Sequence, residues 1–300
     1  MTSPGPLQWT LMLSLGMIWG ASFFGVEVAL QGFEPISIAA FRIALAAIIL
    51  TGVSFAMGVG LPSLRNATGQ RIWVFAFGMG LFSNALPFTL LSWGQQYVTS
   101  GYAGITMAVV PLLVLPLSHF FIPGMRMTRL KTLGFGFGFI GVLVLIGPAQ
   151  ILRSGGGDIV NLARLACILA SACYAIGSIL TRLAPKGDAI AFGAAALIMA
   201  TLIALPFAFM VDGLPKAPSL PALLGLLYLG VFPTALATVM LVFIVKTAGP
   251  PFLSLVNYQV PIWAVVIGMV ALGEKLPGQF IWALGFILLG LALSQMRARQ

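Results

Sequence analysis

The residues best equipped to handle a solute are aromatic or neutral polar, and most come in pairs at helical spacing. Trp19 and Ser22, Asn84 and Phe88, Tyr102 and Thr106, and Tyr174 and Ser178 stand three or four residues apart. Each pair therefore shares one face of a helix. Asn257 and Tyr258 are adjacent and lie just before Pro261. All sit within long apolar stretches, where a polar side chain avoids lipid and turns towards protein. The chemistry on offer is hydrogen bonding and ring contact, which suits a small solute with an apolar body. For any single residue the alternative is an interhelical hydrogen bond, worth about 0.6–2 kcal/mol. Aromatic or polar faces on five helices converge more naturally on a central cavity.

Catalysis lacks its usual groups. Asp158, Asp188 and Asp212 fall in loops, and the single histidine, His119, lies near one end of an apolar stretch. No paired intramembrane carboxylates and no cluster with metal-ligand spacing stand out. No catalytic residue, metal or cofactor is expected, and the chain reads as no enzyme. Glu27 and Arg42 are the ionisable residues most clearly inside apolar stretches, at similar depth near the outer end of the first helical hairpin. They are expected to form an ion pair or to occupy separate interfacial positions rather than to bind solute directly. An unpaired Glu27 is the candidate for proton coupling. No lysine lies deep in a stretch, so a dianionic solute is disfavoured. A strongly cationic solute needs a buried carboxylate within an aromatic cage. A net-neutral or zwitterionic metabolite fits this inventory better.

Composition says what must position these groups. The chain has 300 residues, 60% hydrophobic and 7% charged, with a mean hydropathy of +1.09. A soluble domain uses about 25% charged residues to face water, so the solvent here is mostly lipid. A membrane span takes about 20 apolar residues. Such spans run over Trp9–Leu30, Ile36–Met57, Ile72–Gln96, Thr99–Ile122, Arg129–Gly147, Asn161–Leu183, Ala189–Val211, Leu220–Lys246, Gly249–Leu272 and Leu276–Met296. The first is expected to be retained, because it lacks the basic start and cleavage site of a signal peptide. Cys167 and Cys173 lie six residues apart in one span, on different helix faces, so no disulfide is expected.

The glycine-rich stretch 149–158 divides the spans into residues 1–148 and 159–300, five each. The halves echo one another. Phe82-Ser83-Asn84-Ala85-Leu86 matches Phe232-Pro233-Thr234-Ala235-Leu236, with Gly80 and Gly230 ahead of them. Val110-Pro111-Leu112 matches Val260-Pro261-Ile262, and Gly136-Phe137 with Gly141 matches Gly285-Phe286 with Gly290. An odd number of spans per copy makes the copies enter the membrane from opposite sides. The expected fold is therefore an all-α integral membrane protein of ten transmembrane helices, built as two inverted five-helix repeats around a central cavity. That is a secondary-transporter architecture. Pro111 and Pro261 remove backbone hydrogen bonds in mid-span and are the expected gating hinges. Gly134 and Gly138 have small-xxx-small spacing, the mark of close scaffold packing.

The net charge of +9 is an orientation signal rather than a nucleic-acid footprint. With the N-terminus inside, the inner loops and tail hold Arg65, Arg71, Arg126, Arg129, Lys131, Arg182, Lys186, Lys246, Arg297 and Arg299. The outer loops hold only Arg153, Arg164, Lys216 and Lys275. This asymmetry places both termini in the cytoplasm, with the lipid bilayer and a small solute as partners and no nucleic acid. The sequence leaves oligomeric state open.

Several of these residues resemble the drug/metabolite transporter superfamily, in particular its EamA-type members. They are Pro261, then Leu272-Gly273-Glu274-Lys275-Leu276, Gln279, and Gly285-Phe286 with Gly290. Pro35 with Arg42 resembles the family's second-helix proline and arginine, and Trp19-Gly20-Ala21-Ser22 its first-helix signature. In the first half, Pro123-Gly124 stands where Gly-Glu is the pattern. Within the superfamily the chain is similar to the YddG-type amino-acid exporters. The resemblance implies export of amino acids, aromatic ones included, by alternating access across a bacterial inner membrane. The alternatives are a multidrug or nucleoside exporter of the same fold, or a lipid-handling or receptor-like membrane protein without solute flux. Facilitated efflux and proton antiport both stay open.

Overall fold

The apolar stretches become helices because a helix satisfies its own backbone groups inside lipid. In chain order they are α1 (Pro6–Ala29), α2 (Pro35–Ala56), α3 (Ala67–Gly94), α4 (Ser100–Phe121), α5 (Arg129–Ile146), α6 (Ile159–Leu183), α7 (Ala189–Val211), α8 (Leu220–Ala248), α9 (Val256–Leu272) and α10 (Gly278–Gln295). Among the described residues nine are long and apolar enough to cross a membrane; α9 is shorter and is preceded by the helical turn Pro250–Leu253. The computed structural model describes residues 4–147, 159–214 and 217–296. The expected linker 149–158, and with it Arg153, together with Lys216, Arg297 and Arg299, lies outside the described residues.

Local chemistry sets the ends. Pro6 and Pro35 open α1 and α2, where a missing N–H is harmless. The side chains of Asn66, Thr99, Thr128 and Ser219 accept from the backbone N–H groups of Gly69, Tyr102, Lys131 and Ala222. Asp188 accepts from Ile190 and Ala191 at the start of α7. Burial opposes its charge, but those two amides and Lys246 outweigh it and hold the carboxyl below its ordinary range. Gly147 and Gly273 end α5 and α9 in the left-handed region, at φ 72° and 65°.

The helices pack in a pattern that exchanges the halves. α2 lies on α7, α4 on α9, and α5 on α10. α1 touches α8 and α9, as α6 touches α3 and α4; α2 meets α8, as α7 meets α3. Swapping α1–α5 with α6–α10 maps this set of contacts onto itself, as a pseudo-two-fold axis in the membrane plane does. Large apolar side chains such as Ile48, Met210, Val270, Ile281 and Trp282 are exposed on the outer surface. In water such a surface would drive association; here lipid covers it.

The α5–α10 contact has the close packing expected of Gly134 and Gly138. A Cβ placed on Gly134 would lie 2.5 Å from Gly290 O, and one on Gly290 would strike the backbone of Gly134 and Gly138. Gly285, on another face of α10, has open space. Gly290→Ala is therefore expected to cost about 1–3 kcal/mol of overpacking. It should lower the melting temperature in detergent, whereas Gly285→Ala should leave it almost unchanged. Equal melting of the two variants would contradict the packing.

Candidate functional site

The repeated strings mark a shared backbone irregularity. α3 widens into a π-helical segment at Leu81–Ala85, and α8 does so at Val231–Leu236. Such segments carry an extra residue in the turn and often mark functional sites. The glycine before each lets a neighbouring helix approach. Gly80 lies against Ala196 and Ala200 of α7, and Gly230 against Leu45 of α2. In α8 the cause is local. Pro233 has no N–H to give Leu229 O, and the Thr234 hydroxyl donates to that carbonyl instead, at 2.8 Å. Asn84, at the corresponding place in α3, donates to Met79 O at 3.5 Å.

Both segments face the boundary between the halves. Trp19 Nε1 donates to Pro233 O at 3.1 Å, and the Tyr228 hydroxyl donates to Ile18 O at 3.2 Å. Arg42 Nη2 donates to Thr234 Oγ1 at 3.1 Å. Because the one hydroxyl proton of Thr234 is already directed to Leu229 O, its lone pairs are left for the guanidinium. The Arg42 Cζ sits 3.8 Å from the centroid of the Phe88 ring, and Phe88 meets Tyr174 edge-on at 6.4 Å. The hydroxyls of Tyr174 and Tyr228 interact electrostatically with Arg42.

No carboxylate of the described residues approaches Arg42 within 4 Å; the one ion pair there is Lys246–Asp188. Arg42 Nε is buried without a hydrogen-bond partner. The expected Glu27–Arg42 pair is thus not formed. Glu27 instead accepts from Gln95 Nε2 at 3.3 Å, and the same amide nitrogen donates to Phe23 O. Similar depth does not fix azimuth: Glu27 turns towards the end of α3, and Arg42 turns towards α8. A buried cation without a counter-ion is costly. The ring beneath it returns about 2 kcal/mol when desolvated. Ionisable groups kept at such a cost inside a membrane mark function.

Of the expected site residues, Trp19, Asn84, Phe88 and Tyr174 belong to this centre or its framing segments. Ser22 spends its proton locally, donating to Trp19 O. Ser178 is half-buried one turn beyond Tyr174. Tyr102 and Thr106 belong elsewhere. They are 1% and 0% exposed. Tyr102 packs on Phe280 of α10 at 5.5 Å, and the backbone oxygen of Thr106 accepts from Ser171 of α6. Helical spacing shows which residues share a face, not which neighbour covers it. Tyr228 and Thr234 were missed, although the match of Thr234 to Asn84 was available in the sequence. At the expected central cavity Arg42, Asn84 and Thr234 are 5%, 8% and 4% exposed, while Trp19, Phe88, Tyr174 and Tyr228 are half-buried.

The two expected hinges follow tightened backbone. Met107–Val109 is 3-10 helical just before Pro111, and Val110 N donates to Met107 O. In the second half the break between Pro250–Leu253 and α9 carries i→i+3 bonds, Asn257 N to Ser254 O and Tyr258 N to Leu255 O, just before Pro261. Asn257 and Tyr258 thus lie at this break, half-buried.

Two carboxylates of the second half tie down helix starts of the first. Glu274 accepts from Ser100 N at 2.7 Å and Gly101 N at 3.0 Å, at the start of α4. Asp212 accepts from Ser37 N at 2.7 Å and from its hydroxyl at 2.9 Å, at the start of α2. Helix N-termini favour such anions.

Comparison with known proteins agrees with this architecture. The profile of the EamA-like transporter family matches residues 8–147 and again 161–296. The uncharacterized inner membrane transporter YedA of Escherichia coli (strain K12) is 27% identical, over 94% of this chain and 88% of its own length. A probable terminal-alkyne amino-acid exporter of Streptantibioticus cattleyicolor is 26% identical, over 90% of this chain and 86% of its own. A solved crystal structure shares the fold, with a TM-score of 0.69 at 19% identity over 97% of this chain and 98% of that one. With both halves matched by one family and the helices paired as inverted repeats, the chain belongs to the EamA-like transporter family of transmembrane transporters.

Proposed function

We propose that the protein exports small zwitterionic metabolites, amino acids above all and aromatic ones among them, by alternating access of halves 1–148 and 159–300. The observation that carries this reading is the pair of π segments, which occupy corresponding spans and frame one polar and aromatic centre. Interrupted helices at matching places in two inverted halves are where secondary transporters hold their solute. Pro111 and Pro261, each after a tightened stretch, serve as the hinges. Loop charges support termini in the cytoplasm, and the relative named an inner membrane transporter supports residence in the bacterial inner membrane. The relative named as a probable amino-acid exporter supports the solute class. Glu27, held by Gln95 rather than by Arg42, is the group available for proton coupling. Flux that depends on a pH gradient in the wild type and not in Glu27→Gln would establish that role; equal dependence in both would remove it.

Expression in cells loaded with amino acids, nucleosides and cationic dyes tests the solute class. Amino-acid pools should fall faster in expressing cells than in cells carrying Asn84→Leu. Selective loss of nucleosides or dyes would favour a different exporter of the same fold. No change in any pool would favour a membrane protein without solute flux.

A further inference from the structure

We infer that Arg42 is the anchor for a carboxylate on the transported solute, so that the site selects amphipathic molecules bearing that group. This inference rests on the transport reading above and names the chemistry of its site. The guanidinium carries five N–H donors in a planar fork. One of its nitrogens, Nη2, is directed to Thr234. The Phe88 ring covers one face of the plane. Nε is buried with no partner, and no carboxylate of the described residues lies within 4 Å. Approach from the covered face is closed, which leaves the edge of the fork, where a carboxylate is held by two parallel hydrogen bonds.

The surroundings point the same way. Thr234 has its hydroxyl proton on Leu229 O and so presents only acceptor capacity. It can steady the cation but cannot neutralise it. Tyr174, edge-on to Phe88, and Trp19 offer ring surface for the apolar body of the same solute. A net-neutral amino acid has both parts, and its amide has lost the anionic one. Pairing of the guanidinium also has a kinetic consequence. The empty carrier must close around a guanidinium without a counter-ion, whereas the loaded carrier closes around one paired with the solute carboxylate, the net charge of the site being the same in both. Exchange of solute for solute is therefore faster than net efflux.

Ligand-induced thermal stabilisation of the purified full chain in detergent tests the anchor separately from transport. The probes are L-phenylalanine, L-leucine, their amides and the corresponding decarboxylated amines. For the wild type, the acids should stabilise at concentrations about tenfold or more below those of the amides and amines, the scale of one charge-assisted bond. Arg42→Gln should lose that preference. Arg42→Lys keeps the charge without the fork and should retain the preference with weaker binding. The unliganded melting temperature of each variant reports folding, and the wild-type comparison of acid with amide stands even if a variant fails to fold. Acids and amides acting equally on the wild type, or neither acting, would overturn the anchor. An intact preference in Arg42→Gln would overturn it too. Acid-selective binding without flux in proteoliposomes would instead leave the anchor and remove the export reading.

Discussion

Deletion of Phe232 is expected to give a folded, membrane-inserted protein that transports at background level, whereas deletion of Ala46 is expected to destroy the fold. The contrast follows from what each residue does in its helix. A π segment holds one residue more than the α-helix around it. Removing one from Val231–Leu236 takes out the extra residue, with Pro233 left as a kink, and keeps Ala237 onwards in register with the bundle. Phe232 itself is exposed towards lipid, so little core is lost with it. The residues displaced are Pro233 and Thr234, which accept from Trp19 and Arg42. Ala46 sits in regular α2. Its removal turns Ala47, Leu50 and Ser54, all buried, by about 100° away from their neighbours. Size-exclusion behaviour and melting of the two deletions, with uptake measured on the one that folds, check this. A Phe232 deletion with normal transport would show that the π segment is passive.

The second large effect concerns the carboxylate clamps between the halves. Glu274→Ala removes two charge-assisted bonds to backbone N–H groups, each worth about 1.5–3 kcal/mol. Even one such loss shifts a two-state balance about tenfold or more. The clamp is one-sided by sequence. Where the second half has Gly273-Glu274, the first has Pro123-Gly124, which supplies no carboxylate. Its counterpart helix start, Pro250-Pro251, supplies no N–H donors at all. The intact protein therefore favours closure on the face of Glu274, the outer face in the orientation proposed. With Cys167 and Cys173 replaced by Ala and Ser22→Cys as reporter, an impermeant thiol reagent added outside should label the Glu274→Ala variant about tenfold faster. An unchanged labelling rate would mean that the clamp caps a helix without holding the gate.

Much of this was legible in the sequence. Hydropathy located the spans, and the loop charges gave the expected orientation. The echo of Phe82–Leu86 in Phe232–Leu236 marked the two π segments. What the echo could not show was their geometry. A π turn depends on which carbonyls lose a donor and which side chains reach them, as Thr234 reaches Leu229 O. Partner choice was hidden for the same reason. Arg42 and Glu27 share a depth but face different helices, and Tyr102 shares a face with Thr106 yet packs on Phe280. The resemblance at Gly273-Glu274 marked a family motif, while its role as a tie between the halves needed the start of α4 beside it.

Counterflow in proteoliposomes tests the central claim most directly. Vesicles containing the purified protein, preloaded with unlabelled L-phenylalanine or L-leucine, should transiently concentrate the same labelled amino acid from outside, and vesicles containing the Phe232 deletion should not. An absence of counterflow for every amino acid supplied, with the protein intact and inserted, would contradict the account.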